Sequence, residues 1–524
     1  MATTDYGCTL QGAIVSKRVI IIGAGIGGLG TANLLAKAGY SVDVYEKESA
    51  AGGRAGRLTK DGFTFDTGPS WYLMPDVFAH YYQLLGEDVH AELNLVKLQP
   101  AYKVFFEHQP AITITGKLDQ DTATFEAIEP GAGAALRRYV EKSDTIYRLS
   151  LRHFLYSNFS SLADFCKRDI ILRGITMLQL AATSIDRYVG RFVRDRRLRQ
   201  ILEYPMVFLG TSPFKAPAIY SLMSALDFKE GVFYPQGGIY TIIESLVKIG
   251  HKNGVRYHFN SPVAAITSTG RQATGIRLHD GSTFSADIVI SNADLHFTET
   301  QLLEPAQRSY PKHYWLTKEA SPSALLLYLG IRGELPEFEH HTLLFVDDWK
   351  GNFDAIYTTK TAPEKASIYI CKASQTDPSV APAGHENIFV LVPLPANTAF
   401  DSAQAAQLTA RYLDQIKTMT GVDLAARTVS QTTFGPDDFR TKYHSWQSSM
   451  LGQSHKLTQS AFFRTPNVSK ELDNLLYVGA NTTPGIGLPM CLIGAELVYK
   501  RLQGDKRGGR SQPIATNQEL DKQL

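Results

Sequence analysis

Residues 18–46 constrain the fold more than any other part of the chain. Arg18-Val19-Ile20-Ile21-Ile22 is a β-branched run without polar alternation, which suits a strand buried on both faces. It leads directly into Gly23-Ala24-Gly25-Ile26-Gly27-Gly28. A helical pattern follows, with Leu29, Leu34, Leu35 and Ala38 as apolar positions and Gly39 where a C-terminal cap is expected. Ser41-Val42-Asp43-Val44-Tyr45-Glu46 is a second strand ending in an acid. Gly23, Gly25 and Gly28 fit G-x-G-x-x-G. The first glycine allows a sharp turn, the second a close backbone approach to a pyrophosphate, and the third helix-on-strand packing. Free N–H groups at the helix start favour the anion, and Glu46 is placed to accept hydrogen bonds from a ribose 2′-OH. A 2′-phosphate would be repelled there. The candidate contacts in this unit are Gly23, Gly25, Ile26, Gly28, Glu46 and the following Lys47.

Composition removes several other classes. With 53 Lys+Arg against 51 Asp+Glu the formal charge is +2, so nothing points to nucleic acid. Cys8, Cys166, Cys371 and Cys491 lie far apart without metal-ligand spacing, so reduced thiols and no metal site are expected. No G-x-S-x-G and no Cys–His signature is present, so hydrolysis has no support. The N-terminus lacks the pattern of a signal peptide. The longest apolar run, Ala324–Ile331, has strand length and falls short of the ~18–20 residues of a spanning helix. A cytoplasmic protein, soluble or peripheral to a membrane, is the expectation.

Along the rest of the chain, residues 130–250 read as largely helical, with amphipathic stretches at 144–157 and 167–182. Strand patterns return at Val255–Phe259, Val263–Ile266, Thr274–Leu278 and Ile288–Ile290, then at Ala324–Ile331, Thr342–Val346, Ala366–Cys371 and Asn387–Val392. Residues 403–420 form a helix pattern, Leu475–Val478 a short strand and Cys491–Leu502 a closing helix. Residues 506–524 are polar and expected to be disordered. Between 137 and 200, 14 Lys+Arg stand against 6 Asp+Glu, interleaved with Tyr147, Leu151, Phe154, Leu155, Phe159, Leu162 and Phe165. Such a stretch suits a lipid interface or a solvated helical face. His153, His258, His444 and His455 show no ligand spacing and read as structural or exposed.

A second glycine cluster follows the acid: Gly52-Gly53-Arg54-Ala55, then Gly62-Phe63 and Phe65-Asp66-Thr67-Gly68-Pro69. Gly53, Arg54, Gly68 and Pro69 could meet the diphosphate and ring side of an extended FAD, or form a plain glycine-rich turn with a surface arginine. The block Val19–Pro69 resembles the N-terminal signature of the flavin amine oxidase and carotenoid desaturase superfamily. Leu476-Tyr477-Val478-Gly479-Ala480-Asn481 with Pro484-Gly485-Ile486-Gly487-Leu488-Pro489-Met490 is similar to the C-terminal flavin motif of bacterial and fungal phytoene desaturases. The interior agrees with that family at Phe233–Gly238, Ile288–Asp294, Phe434–Phe439 and Leu457–Arg464. The resemblance implies flavin contacts at Gly479, Ala480, Gly487, Pro489 and Met490, and an adenine contact at the backbone of Val263. Where many FAD proteins place an acid after the motif glycine, this chain has Ala480-Asn481.

The fold expected is α/β: a Rossmann-like FAD-binding domain from residues 15–72, 226–295 and 435–505. A discontinuous α+β substrate domain fills 73–225 and 296–434, with a helical membrane-facing part. The resemblance implies an FAD-dependent carotenoid desaturase, an oxidoreductase that introduces C=C bonds into phytoene or a similar linear polyene by hydride transfer to flavin. With a single G-x-G-x-x-G, oxygen or a membrane quinone is the expected electron acceptor. Lipid and a long apolar polyene are the expected partners. Alternatives are a carotene isomerase, an amine oxidase, or a prenyl-binding carrier like the GDP-dissociation inhibitors. Arg152, His153, Asp437 and Tyr443 lie in suggestive stretches, but no spacing compels an acid/base role, and the catalytic residues are left unassigned.

Overall fold

The computed structural model describes residues 16–158 and 168–514. Strand β1 (Arg18–Ile22), helix α1 (Ile26–Lys37) and strand β2 (Ser41–Tyr45) form as the glycine pattern predicts. Val19, Ile20, Ile21 and Ile22 are all buried, because β1 lies at the centre of a five-stranded parallel sheet. Its strand order is Leu475–Tyr477, Ile288–Ser291, β1, β2, Arg256–His258. Buried residues of α1, Tyr240–Lys252 and Leu488–Leu502 cover one face, and an antiparallel sheet of Val263–Thr269, Gln272–Leu278 and Thr283–Ser285 lies on the other. Helix Leu488–Leu502 starts three residues before its apolar pattern suggested, since Pro489 sits in its first turn, where a missing N–H costs nothing.

The second sheet has seven strands, in the order Thr428–Phe434, Ser323–Arg332, His385–Leu394, Ile368–Cys371, His341–Phe345, Tyr102–Phe106, Ile112–Ile114. Only the contact between His341–Phe345 and Tyr102–Phe106 is parallel among its pairings. Leu325, Leu327, Leu329 and Ile331 alternate onto one face against Leu408, Tyr412 and Ile416 of helix Ser402–Thr420. Leu326 and Tyr328 point to the other face. Both faces are covered, which is why the sequence shows an unbroken apolar run and no alternation.

One expectation needs correction. Residues 506–514 are docked and not disordered: Arg510 pairs with Asp76 at 2.7 Å, the Ser511 N–H donates to Glu496 at 2.6 Å, and Ile514 joins the core beside Leu84. Residues 515–524 lie outside the described residues. The basic stretch buries Tyr147 and lines an internal cavity with Phe154 and Leu155, whereas its Leu178 is exposed. Several of its arginines are paired within the protein, Arg137 with Asp119, Arg148 with Asp144 and Arg197 with Asp195. Phe159, Leu162 and Phe165 lie outside the described residues. Among the described residues no helix is long and apolar enough to cross a membrane.

Candidate functional site

The carboxyl ends of the parallel strands open onto one cavity of about 1250 Å³ that continues across the seven-stranded sheet. Gly23, Gly25 and Ile26 form its floor at the start of α1, where no side chain caps the helix. Gly28 is not on the wall. A Cβ there would stand 2.2 Å from the Gly23 carbonyl oxygen, so Gly28 serves the packing that lets the loop close. Asn292 fills the space beneath this loop and donates to the Val478 carbonyl at 2.9 Å. Its side chain would lie 2.8 Å from a Cβ at Gly25 and 2.9 Å from one at Gly27.

Glu46 and Lys47 border the cavity at the end of β2. Glu46 is buried and accepts from Ala24 N–H at 2.7 Å and Glu48 N–H at 3.0 Å, one bond to each carboxylate oxygen. A carboxylate has about four acceptor sites, so both oxygens can still accept from a hydroxyl. Gly53, Arg54, Gly68 and Pro69 also line the cavity, with Gly53 beside Gly25 across the Gly25–Gly52 bridge, and Val263 borders it at the antiparallel sheet. Arg54 donates to Ser445 Oγ at 2.5 Å and lies 3.7 Å from Asp294. Asp294 in turn accepts from Asn481 Nδ2 at 3.0 Å. A carboxylate, Asp294, therefore stands beside Asn481. The strand and turn ending at Asp294 were visible in the sequence, but neither Asn292 nor Asp294 was singled out.

Gly479, Ala480, Gly487, Pro489 and Met490 close the site from the C-terminal side. Gly487 precedes the uncapped start of helix Leu488–Leu502, so two helix N-termini face the same cavity. Together their N–H groups make a strongly anion-favouring wall. Arg464 holds this segment. It is wholly buried, and it donates to the carbonyls of Gln453, Gln459, Ala480 and Thr482 at 2.5–3.2 Å. His455, also buried, lies 3.3 Å from the Ile486 N–H and 3.2 Å from Tyr220 Oη. Burial holds its pKa well below that of free histidine and keeps it neutral. His258 stacks on Tyr45 and bonds Asp43, and His444 stacks on Phe297. Tyr443 lines the cavity, whereas Asp437 pairs with Arg440 on the surface.

The far part of the cavity is apolar, with Trp71, Tyr204, Phe208, Phe345, Trp349 and Phe353 in its wall. Behind Tyr204 lies Asp227, which accepts from Tyr102 at 2.8 Å and Tyr204 at 3.1 Å while Oδ1 has no partner. Burial pushes its pKa from 3.8 up to about 7. A carboxyl whose folded pKa is raised loses its stabilising contribution as pH climbs from its unfolded value through the folded one. Asp227→Asn should therefore gain stability over wild type increasingly between pH 4 and pH 7, reaching a few kcal/mol and then levelling off. Any hydrogen-bond cost of the amide is the same at every pH. Thermal melts showing a pH-independent difference would refute this.

The family model for flavin containing amine oxidoreductases matches residues 26–497. A carotenoid 3,4-desaturase of Haloarcula japonica is 40% identical over 487 residues, covering 93% of this chain and 98% of that protein. A zeta-carotene-forming phytoene desaturase of Myxococcus xanthus is 34% identical, covering 93% and 94%. Among solved structures, putrescine oxidase bound to putrescine superposes with a TM-score of 0.61 at 14% identity, covering 94% of this chain and 99% of that one.

Proposed function

The chain belongs to the flavin containing amine oxidoreductase family, and we propose that it is an FAD-dependent carotenoid desaturase whose cofactor and polyene share the single long cavity. The continuity of that cavity, from the glycine loops to the aromatic chamber, carries the reading. The residues present fit FAD: Gly23, Gly25, Gly479 and Gly487 present bare backbone to the cavity, two uncapped helix starts face it, and Glu46 keeps acceptor capacity for the ribose. We assign the contacts to Gly23, Gly25, Ile26, Glu46, Lys47, Gly53, Arg54, Gly68, Pro69, Val263, Gly479, Ala480, Gly487, Pro489 and Met490, with Gly28 shaping the loop. Bound there, FAD supplies the two-electron acceptor for a hydride leaving carbon. The protein's own part is to hold a long apolar chain against that position and to keep water out. Segments 15–72, 226–295 and 435–505 serve as the cofactor domain, and 73–225 with 296–434 as the substrate domain.

The test is the absorption spectrum before and after anaerobic addition of phytoene in liposomes to FAD-loaded protein. Bleaching of the flavin band with a new polyene spectrum is expected. Persisting oxidised flavin and no polyene would defeat the reading, and absence of flavin binding would favour a prenyl-binding carrier. Oxygen or a membrane quinone would reoxidise the flavin.

Leu178, Leu457, Phe462 and Phe463 are large, exposed apolar side chains that also border this cavity. Phe462 is 55% and Leu178 71% exposed. Such a ring at an opening suits contact with lipid, from which a polyene would enter. We place the lipid contact here and not on the inward-facing aromatics of 147–155. Replacing Phe462 and Phe463 together by Asp should weaken liposome flotation by roughly 100-fold and leave FAD content unchanged. Equal flotation of variant and wild type at low ionic strength would remove this ring from the membrane reading.

A further inference from the structure

The desaturation proposed above, on which this inference rests, releases one proton for each hydride removed. The chamber that receives the proton is apolar, and an unpaired charge left in it would be costly. One polar path leaves the chamber wall. Ser70 Oγ and Tyr369 Oη, both in the wall, are 2.6 Å apart. Tyr369 Oη is 2.8 Å from His341 Nδ1. His341 is wholly buried and stacks on Trp71 with ring centroids 4.1 Å apart. Its neighbour His340, also buried, has Nδ1 2.7 Å from Thr376 Oγ1, and Thr376 is only half-buried.

Between the two imidazoles the path is unfinished within the protein. Nε2 of His340 and Nε2 of His341 are both buried without a protein partner. A ring nitrogen of each histidine and Cys371 Sγ lie within 4.8 Å of one another. Two hydrogen bonds of about 2.8 Å meeting at one oxygen span that distance, and a site with three polar neighbours suits an ordered water. Adjacent positions on one strand normally face opposite sides of a sheet. His340 lies just before the strand His341–Phe345, outside its regular pleat, so both rings can come together, 4.6 Å between centroids.

We propose that Tyr369, His341, His340 and Thr376 form a proton-exit relay from the polyene chamber to solvent, completed by one water between the imidazoles. On one substrate carbon the C–H bond breaks with its electron pair leaving as hydride to FAD. On the adjacent carbon the C–H electrons stay to form the C=C bond, and the proton passes to the Tyr369 oxygen as Tyr369 gives its own to His341 Nδ1. His341 then releases its Nε2 proton through the water to His340 Nε2, and the His340 Nδ1 proton goes to Thr376 and solvent. A weak base suffices, because a C–H beside a carbocation is strongly acidic. Burial keeps both imidazoles neutral and the Tyr369 phenol protonated, the states from which such a transfer starts.

The relay is tested with FAD-loaded protein in a single anaerobic turnover on phytoene liposomes, following polyene absorbance and a pH-indicating dye together. In wild type the two traces should coincide. Thr376→Val should delay the dye trace behind the polyene and lower kcat by roughly tenfold or more, with KM and FAD content unchanged. Thr376→Ser should restore both, and Tyr369→Phe should slow polyene formation itself. A merely structural role would not separate the traces. Coincident traces at the wild-type rate in Thr376→Val and Tyr369→Phe would overturn the relay alone. So would stoichiometric zinc in the purified protein that is lost in Cys371→Ser, because a metal bound by the imidazoles blocks proton transfer. Wild type that binds FAD but makes no polyene would remove the desaturation reading and the relay with it.

Discussion

Glu46→Arg is expected to abolish flavin binding while leaving the chain folded. The wild-type carboxylate accepts two backbone N–H groups of its own loops and retains lone pairs toward the ribose position. Arginine offers only donors. It cannot take the Ala24 and Glu48 N–H groups, and it fills the space that the ribose needs. Two ribose hydroxyl bonds to a charged acceptor would contribute about 3–6 kcal/mol, so their loss should lower affinity for FAD by at least roughly 100-fold. The core beneath is set by Val19, Ile21, Val42 and Val44, none of which the change touches, so circular dichroism should match wild type. Glu46→Gln keeps one acceptor oxygen and should lie between the two. Unchanged flavin occupancy in Glu46→Arg would remove the ribose assignment.

Arg464→Met should be the most destabilising single change among those considered. Arg464 is fully buried, and no carboxylate appears among its hydrogen-bond partners, which are four carbonyl oxygens. Burial lowers its pKa from 12.5 to about 10, leaving it charged at neutral pH. Methionine fills most of the volume and none of the bonds. Each buried acceptor left bare costs about 1–3 kcal/mol, so a total loss of about 4 kcal/mol or more is expected. Because Ala480 and Thr482 belong to the loop before helix Leu488–Leu502, flavin content should drop together with the melting temperature. A melting temperature within a degree of wild type would show that water satisfies those carbonyls equally well.

Whether a feature was legible in the sequence depended on whether it is written in consecutive residues. The loop at 23–28 was readable because a tight turn and a close approach leave only glycine at fixed offsets, and Gly28 shows this in the 2.2 Å gap that a Cβ would have to occupy. The strands at 323–332 and 385–394 were readable as apolar runs. Tyr102–Phe106 and Ile112–Ile114 were not, being only five and three residues long, and their hairpin joins the sheet through a parallel contact of Tyr102–Phe106 with His341–Phe345.

The docked segment 506–514 misled for a related reason. Its polar residues say nothing of Asp76 and Glu496, the distant acids that hold it.

The sequence by itself determined the dinucleotide fold, because that rests on backbone geometry over a short, contiguous motif, and its resemblance to the desaturases implied the FAD and the reaction class. The tertiary structure alone decided which acid stands beside residue 481, where the exposed apolar ring lies, and that Ser70 meets Tyr369 across 299 positions of chain. Such contacts between side chains depend on how two sheets and their helices pack. That packing follows from the summed burial of many apolar residues and not from any local spacing.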